Sequence, residues 1–121
     1  MTIVNDIGEV IIFLRDFKAL IRDSRYYVKK HHKNRQALID LGITYKMREQ
    51  ILLELNAYDY SSGPNSDENG IADYWIFGKD IDNVEIYIKL QIVVFSDGDE
   101  QGVCISFHPS EYALRNPLKT A

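Results

Sequence analysis

Two hydrophobic periods divide this chain, and the change from one to the other falls near residue 60. From about Asp6 to Ser24, the residues Ile7, Val10, Ile11, Leu14, Phe17, Ala19, Leu20 and Ile21 recur close to helical spacing. Arg15, Asp16, Lys18, Arg22 and Asp23 fill the opposite side, so the segment predicts an amphipathic helix started by Asn5 or Asp6. Arg25-Tyr26-Tyr27-Val28 is aromatic and β-branched and predicts a short strand. Asn34 is placed to cap a short helix running to Leu41, with Gly42 closing it in a left-handed conformation. Thr44 then caps a helix from Tyr45 to Leu55. Met47, Ile51, Leu52 and Leu55 form its apolar stripe, and Lys46, Arg48, Glu49 and Glu54 its wet face.

The stretch Ser61 to Gly70 is rich in turn formers and reads as a loop. After it the period shortens to that of strands. Tyr74 to Phe77 predicts one strand, stopped by Gly78, and Asp82-Asn83 is suited to a hairpin turn. From Val84 to Phe95 the chain alternates: Val84, Ile86, Ile88, Leu90, Ile92 and Val94 point one way, and Glu85, Tyr87, Lys89 and Gln91 the other. Asp97 to Glu100 predicts a second turn. In the strand that follows, Val103, Ile105 and Phe107 are assigned to the buried face, and Cys104, Ser106 and His108 to the other, with Pro109 ending it. Helices first and an antiparallel sheet after them predict an α+β fold, with two or three N-terminal helices packed on one face of the sheet.

A length of 121 residues fits one domain spanning residues 1–121. One cysteine excludes an internal disulfide framework and a multi-cysteine zinc site. No apolar run approaches the roughly 20 residues that span a bilayer, so no membrane partner is expected. Acidic Asp6 and Glu9 precede the short run Val10 to Leu14, unlike a secretory leader. The expected compartment is the cytoplasm, with a reduced thiol.

The net charge of −4 is unevenly spread. Residues 1–50 carry ten Lys/Arg against six Asp/Glu, and residues 51–121 carry four against twelve. Such a split produces a dipolar surface, able to steer a polyanion to one side or to meet a charged protein.

Two groups of residues carry candidate chemistry. The polar face of the sheet gathers Glu85, Tyr87, Lys89, Gln91, Ser106 and His108, with Lys79 at the end of the preceding strand. A histidine titrating near neutrality, a cation and a hydroxyl are the ingredients of acid/base catalysis on a substrate that develops negative charge. The run Lys29 to Arg35 holds four Lys/Arg and two His in seven residues, preceded by Tyr26 and Tyr27. Cations beside aromatics suit single-stranded RNA, so Lys29, Lys30, Lys33 and Arg35 are candidate RNA contacts. His31-His32 has no Cys or carboxylate at ligand spacing, and no metal or cofactor is expected. Glycine loops for phosphates and nucleophile elbows are absent.

An ordered set of segments carries a resemblance. It comprises Lys33-Asn34-Arg35, Leu41-Gly42-Ile43-Thr44, Leu55, Asp59-Tyr60, Gly63-Pro64, Trp75-Ile76-Phe77-Gly78-Lys79, Tyr87-Ile88-Lys89-Leu90 and Cys104-Ile105-Ser106-Phe107-His108. Over about residues 30–112 this set resembles the MqsR-family toxins of type II toxin–antitoxin systems. The resemblance implies a RelE-like fold and an mRNA interferase, a metal-free endoribonuclease held in check by a protein antitoxin. It implies a catalytic surface containing Tyr87, Lys89 and His108. Ser61 stands where the family has a lysine and Ile76 where it has a glutamine, and Lys79 is the candidate replacement cation. The pI of about 5.3 is another departure from such toxins, which are usually basic. The competing expectation is a non-catalytic α+β module that binds a protein through its acidic half.

Overall fold

The computed structural model describes residues 7–119, so the helix start assigned to Asn5 or Asp6 lies outside the described residues. The fold is α+β, with the helices preceding most of a five-stranded mixed sheet. Helix α1 (Ile7–Arg22) buries Val10, Phe13, Leu14, Phe17 and Ile21, one stripe at helical spacing. Strand β1 (Tyr26–Val28), helix α2 (His32–Leu41) and helix α3 (Tyr45–Leu53) follow. A 3₁₀ turn (Ala57–Asp59) leads into β2 (Tyr60–Asn65), β3 (Tyr74–Ile81), β4 (Val84–Val94) and β5 (Glu100–Pro109). The strand order is β1-β5-β4-β3-β2. The pairs β2–β3, β3–β4 and β4–β5 are antiparallel, and β1 adds a parallel edge strand beside β5.

One face of the sheet packs against α1. Phe13 stacks on Trp75 with ring centroids 4.8 Å apart, and Phe17 lies directly over Gly102. A Cβ at Gly102 would sit 3.2 Å from the Phe17 ring, so the glycine lets helix and sheet approach. Phe77, Ile86, Ile88, Leu90, Cys104 and Phe107 complete this layer, and Leu52 and Leu55 close it from the α3 side. The core is continuous and apolar, and its burial is the main source of fold stability.

Several local expectations need correction. Gly78 does not stop β3. The strand continues to Ile81 because a further set of pairs, Gly78↔Tyr87 to Ile81↔Val84, is available on β4. The turn-rich stretch after Tyr60 is not a loop throughout: its first half is β2, an edge strand with irregular register that avoids the regular ladder glycine and proline would weaken. In β5, Ser106 pairs with Lys89 but Cys104 pairs with Leu90, leaving Ile105 as an extra, bulged residue. The bulge reverses the alternation. Cys104 therefore faces the core, fully buried, and Val103 shares the other face with Gln91. Arg48, assigned to the wet face of α3, is only 7% exposed, whereas Met47 of the assigned apolar stripe is 48% exposed.

Asn34 does not cap α2. His31 does, accepting from the Lys33 backbone N–H through Nδ1, while Asn34 is buried inside the first turn. Its carboxamide continues the ladder where β1 ends. Nδ2 donates to the carbonyls of Lys29 and Ile105, each at 3.0 Å, and Oδ1 accepts from the Phe107 N–H at 2.9 Å. One side chain thus does the work of an edge strand, and it fixes α2 against β5.

Candidate functional site

Among the described residues, no helix shares an extensive contact with β4, whose second face carries Tyr87 and Lys89. Cross-strand pairing sets Tyr87 opposite His108 and Lys89 opposite Ser106, and brings Tyr74 and Ile76 alongside from β3. The Tyr87 and His108 rings stack with centroids 5.6 Å apart and planes 23° apart. The Lys89 ammonium lies 4.0 Å from the centre of the Tyr74 ring, a cation–π contact that holds the charge over the sheet. His108 Nδ1 is 2.9 Å from the carbonyl oxygen of Pro109. A carbonyl only accepts, so this bond places the proton of a neutral imidazole on Nδ1 and leaves the lone pair on Nε2.

The segment after β5 packs against the lower part of this face, which sequence periodicity did not reveal. Tyr112 meets the Tyr87 ring edge-on at 6.3 Å. Leu114 seats on the bare backbone of Gly78 and its N–H donates to Glu85 Oε1 at 3.0 Å. Asn116 Nδ2 then donates to the carbonyl of Asp59 at 3.0 Å, across the far edge of the sheet. Burial, then the neighbouring Tyr112 and Tyr74, push the Tyr87 phenol up to about 12. Tyr87 is accordingly a neutral hydroxyl at physiological pH, a donor or stacking surface and not a base.

Lys79 is not part of this face. It pairs with Ile86, whose side chain is in the core layer, so the period of the strand directs Lys79 to the α1 side. There its ammonium is 3.6 Å from the Asp59 carboxylate. The continuation of β3 past Gly78 is the reason: with the strand ended at Phe77, the direction of Lys79 could not be read. Ser61 and Ile76, the positions where the resemblance has lysine and glutamine, are each 7% exposed.

The basic run comes to the same end of β5 as His108. Asn34 anchors it, and Lys33 Nζ bonds Glu111 Oε1 at 2.5 Å. The His31 and His32 rings lie 4.4 Å apart. Partial desolvation, followed by the charges of His32, Lys33, His108 and Lys29, holds the His31 imidazole below its usual value. His31 links the two groups: it feels the charges of His108 and Lys33, and with His32, Lys29, Lys30 and Arg35 it lines one groove. Tyr74 and Tyr112 on the sheet face, Glu111 beside Lys33 and Arg48 in the groove were not singled out by sequence. Their spacing along the chain carries no common motif.

Among the described residues, no cluster of three or more His, Cys, Asp or Glu side chains is placed to hold a metal ion. Among the same residues, no helix is long and apolar enough to cross a membrane. Comparison with protein-family models, curated proteins and solved structures finds no match.

Buried groups give the fold an alkaline limit. Burial pushes the Cys104 thiol up to about 12, pushes Tyr87 from a higher starting point to about 12, and raises Tyr26 as well. In each case the unfolded chain releases its proton first as pH rises. The unfolded state then binds fewer protons than the folded one, and stability falls with increasing pH. Urea denaturation at a series of pH values is expected to show a constant midpoint up to about pH 9, the ordinary range of a thiol, and a steady fall between there and pH 12. A midpoint that holds to about pH 11 would contradict the burial of these groups.

Proposed function

We propose that the chain is an endoribonuclease of the mRNA-interferase type, the toxin of a type II toxin–antitoxin pair, cleaving RNA without a metal. The observation that supports this most is the stacked Tyr87–His108 pair with Lys89 on an open sheet face, continuous with the basic run. RNA carries its own nucleophile in the 2′-OH. The protein need only remove that proton, stabilise the charge on the pentacoordinate phosphorus and protonate the departing 5′-oxygen. His108 Nε2 takes the 2′-proton, and the 2′-oxygen bonds to phosphorus as the bond to the 5′-oxygen breaks. Lys89 balances the negative charge, and the imidazolium formed at His108 supplies the proton to the 5′-oxygen. The products are a 2′,3′-cyclic phosphate and a free 5′-hydroxyl. Tyr87 orients the His108 ring from below and offers a hydroxyl to the phosphate.

In this reading a protein antitoxin restrains the enzyme, and RNA approaches over Lys29, Lys30, Lys33 and Arg35. The test is incubation of the purified chain with total RNA and with a single-stranded oligonucleotide in the presence of EDTA, alongside induced expression in a growing culture. Cleavage to the cyclic phosphate, its loss when a 2′-deoxynucleotide replaces the cleaved one, and growth arrest are expected. Lys79→Met is expected to cleave at the wild-type rate, because Lys79 is on the other face. Intact RNA and unaffected growth would overturn the proposal in favour of the non-catalytic protein-binding module.

A further inference from the structure

A groove of about 570 Å³ opens between the end of β1, the first turn of α2 and the flank of α3. Its walls carry Lys29, Lys30, Arg35 and Arg48, with the His31–His32 pair and the Tyr45 ring, and among the described residues no Asp or Glu lines it. The first turn of α2 contributes no acidic residue either. Helix N-termini are themselves partly positive, so cations gathered there repel both the dipole and one another. An anion in the groove would relieve that repulsion.

Arg48 shows this independently. It is only 7% exposed, and its Nε has no hydrogen-bond partner. Its guanidinium lies 5.4 Å from the centre of the Tyr45 ring and bonds the Tyr26 hydroxyl. Glu49 shares only the adjoining hollow with Arg48, and among the described residues the two form no ion pair. A nearly buried guanidinium with no acidic partner is costly, and an anion in the groove that Arg48 lines offsets its charge. The Tyr45 ring above is 72% exposed, which leaves its outer surface open to a stacking base.

We propose that this groove is a phosphate subsite for single-stranded RNA: Arg48, Arg35 and Lys29 hold a backbone phosphate, and a neighbouring base stacks on Tyr45. The inference rests on the RNA-cleavage reading. It adds to it a binding point away from the reacting bond, linked to the His108 face through His31, which feels the charge of His108. Such a point would fix the register of the strand over Lys89.

The experiment measures binding of a fluorescent 2′-O-methyl RNA oligonucleotide, which cannot be cleaved, to the full chain over a series of salt concentrations. Lys29→Gln/Arg35→Gln replaces two exposed cations and leaves the core intact. It is expected to weaken binding by about tenfold or more at low salt, and to flatten the slope of log K against log salt by about 0.7 for each phosphate left without its cation. Tyr45→Ala is expected to weaken binding about tenfold with the slope unchanged, since stacking releases no counterions. Wild-type affinity and slope in the double variant overturn the subsite. So does a result in which inorganic pyrophosphate needs Lys29 and Arg35 but the RNA does not, because the groove then serves a small anion. Binding is scored without cleavage, so the two readings fail separately. A chain that binds through the groove but leaves RNA intact loses the nuclease assignment alone. A double variant that binds and cleaves normally loses the subsite alone.

Discussion

His108→Gln is expected to slow RNA cleavage by about 10²–10⁴-fold, the usual cost of losing an acid/base group, while the thermal midpoint stays within a few degrees of wild type. His108 stands near the end of β5, part-buried and facing the open side of the sheet. Glutamine keeps a planar, hydrogen-bonding side chain of similar reach, so the contact to Tyr87 is largely preserved. What it cannot do is accept the 2′-proton and return it at neutral pH. Binding separates this role from a positional one: the glutamine variant should hold an uncleavable RNA as tightly as wild type while losing rate. Single-turnover cleavage of one oligonucleotide, with binding of its 2′-O-methyl form and circular dichroism as a folding control, gives both readouts. A folded variant that cleaves at the wild-type rate removes His108 from the mechanism and directs attention to Lys89 and Tyr87.

The residues that made the fold legible act locally. The α1 stripe follows from helical spacing alone. Thr44 caps α3 because its hydroxyl reaches the Met47 N–H, 3.1 Å away. Gly42 closes α2 with φ of 66°, a conformation a side chain resists. Asp82 and Asn83 both take positive φ, 51° and 68°, which is what a tight hairpin between twisted strands demands. Alternation along β4 likewise placed Tyr87 and Lys89 on one face without knowledge of any partner.

What could not be read depends on distant pairing. The bulge at Ile105 exists only in relation to β4, and it decides that Cys104 faces the α1 side while Val103, also buried, faces the other. Lys79 changed sides for a similar reason: its direction is fixed by register with Ile86, through a glycine that looked like an end. Arg48 lies on a short helix with a weak apolar stripe, where charge suggested solvent. Its charge is felt by Tyr26 and Cys104, on strands brought from elsewhere in the chain. The candidate catalytic face was therefore legible in its strand residues, and the groove that adjoins it was legible only in its charge.

Asn34→Ala gives the largest expected change in stability, and its sign is informative. Were Asn34 an ordinary helix residue, alanine would stabilise the protein by about 0.5 kcal/mol, because asparagine is the poorer helix former. In this fold the carboxamide satisfies the Lys29 and Ile105 carbonyls and the Phe107 N–H at the open edge of β5. Removing it strands these backbone groups, and each buried unpaired group costs about 1–3 kcal/mol. With some relief from entering water, a net loss of about 3 kcal/mol is expected. For a chain of this size that lowers the melting temperature by roughly 10 °C. Asn34→Asp should be no better at neutral pH. Its carboxylate still accepts from Phe107 but faces two carbonyl oxygens to which it cannot donate. Urea unfolding measures the loss, and faster hydrogen exchange at the Phe107 amide locates it. The effect should reach the functional face as well. Without Asn34 the run Lys29 to Arg35 is no longer pinned beside His108, so affinity for the uncleavable RNA should fall even at temperatures where the chain is folded. An alanine variant as stable as wild type would show that α2 is held to β5 by other contacts, and would leave the basic run without a fixed position against the sheet.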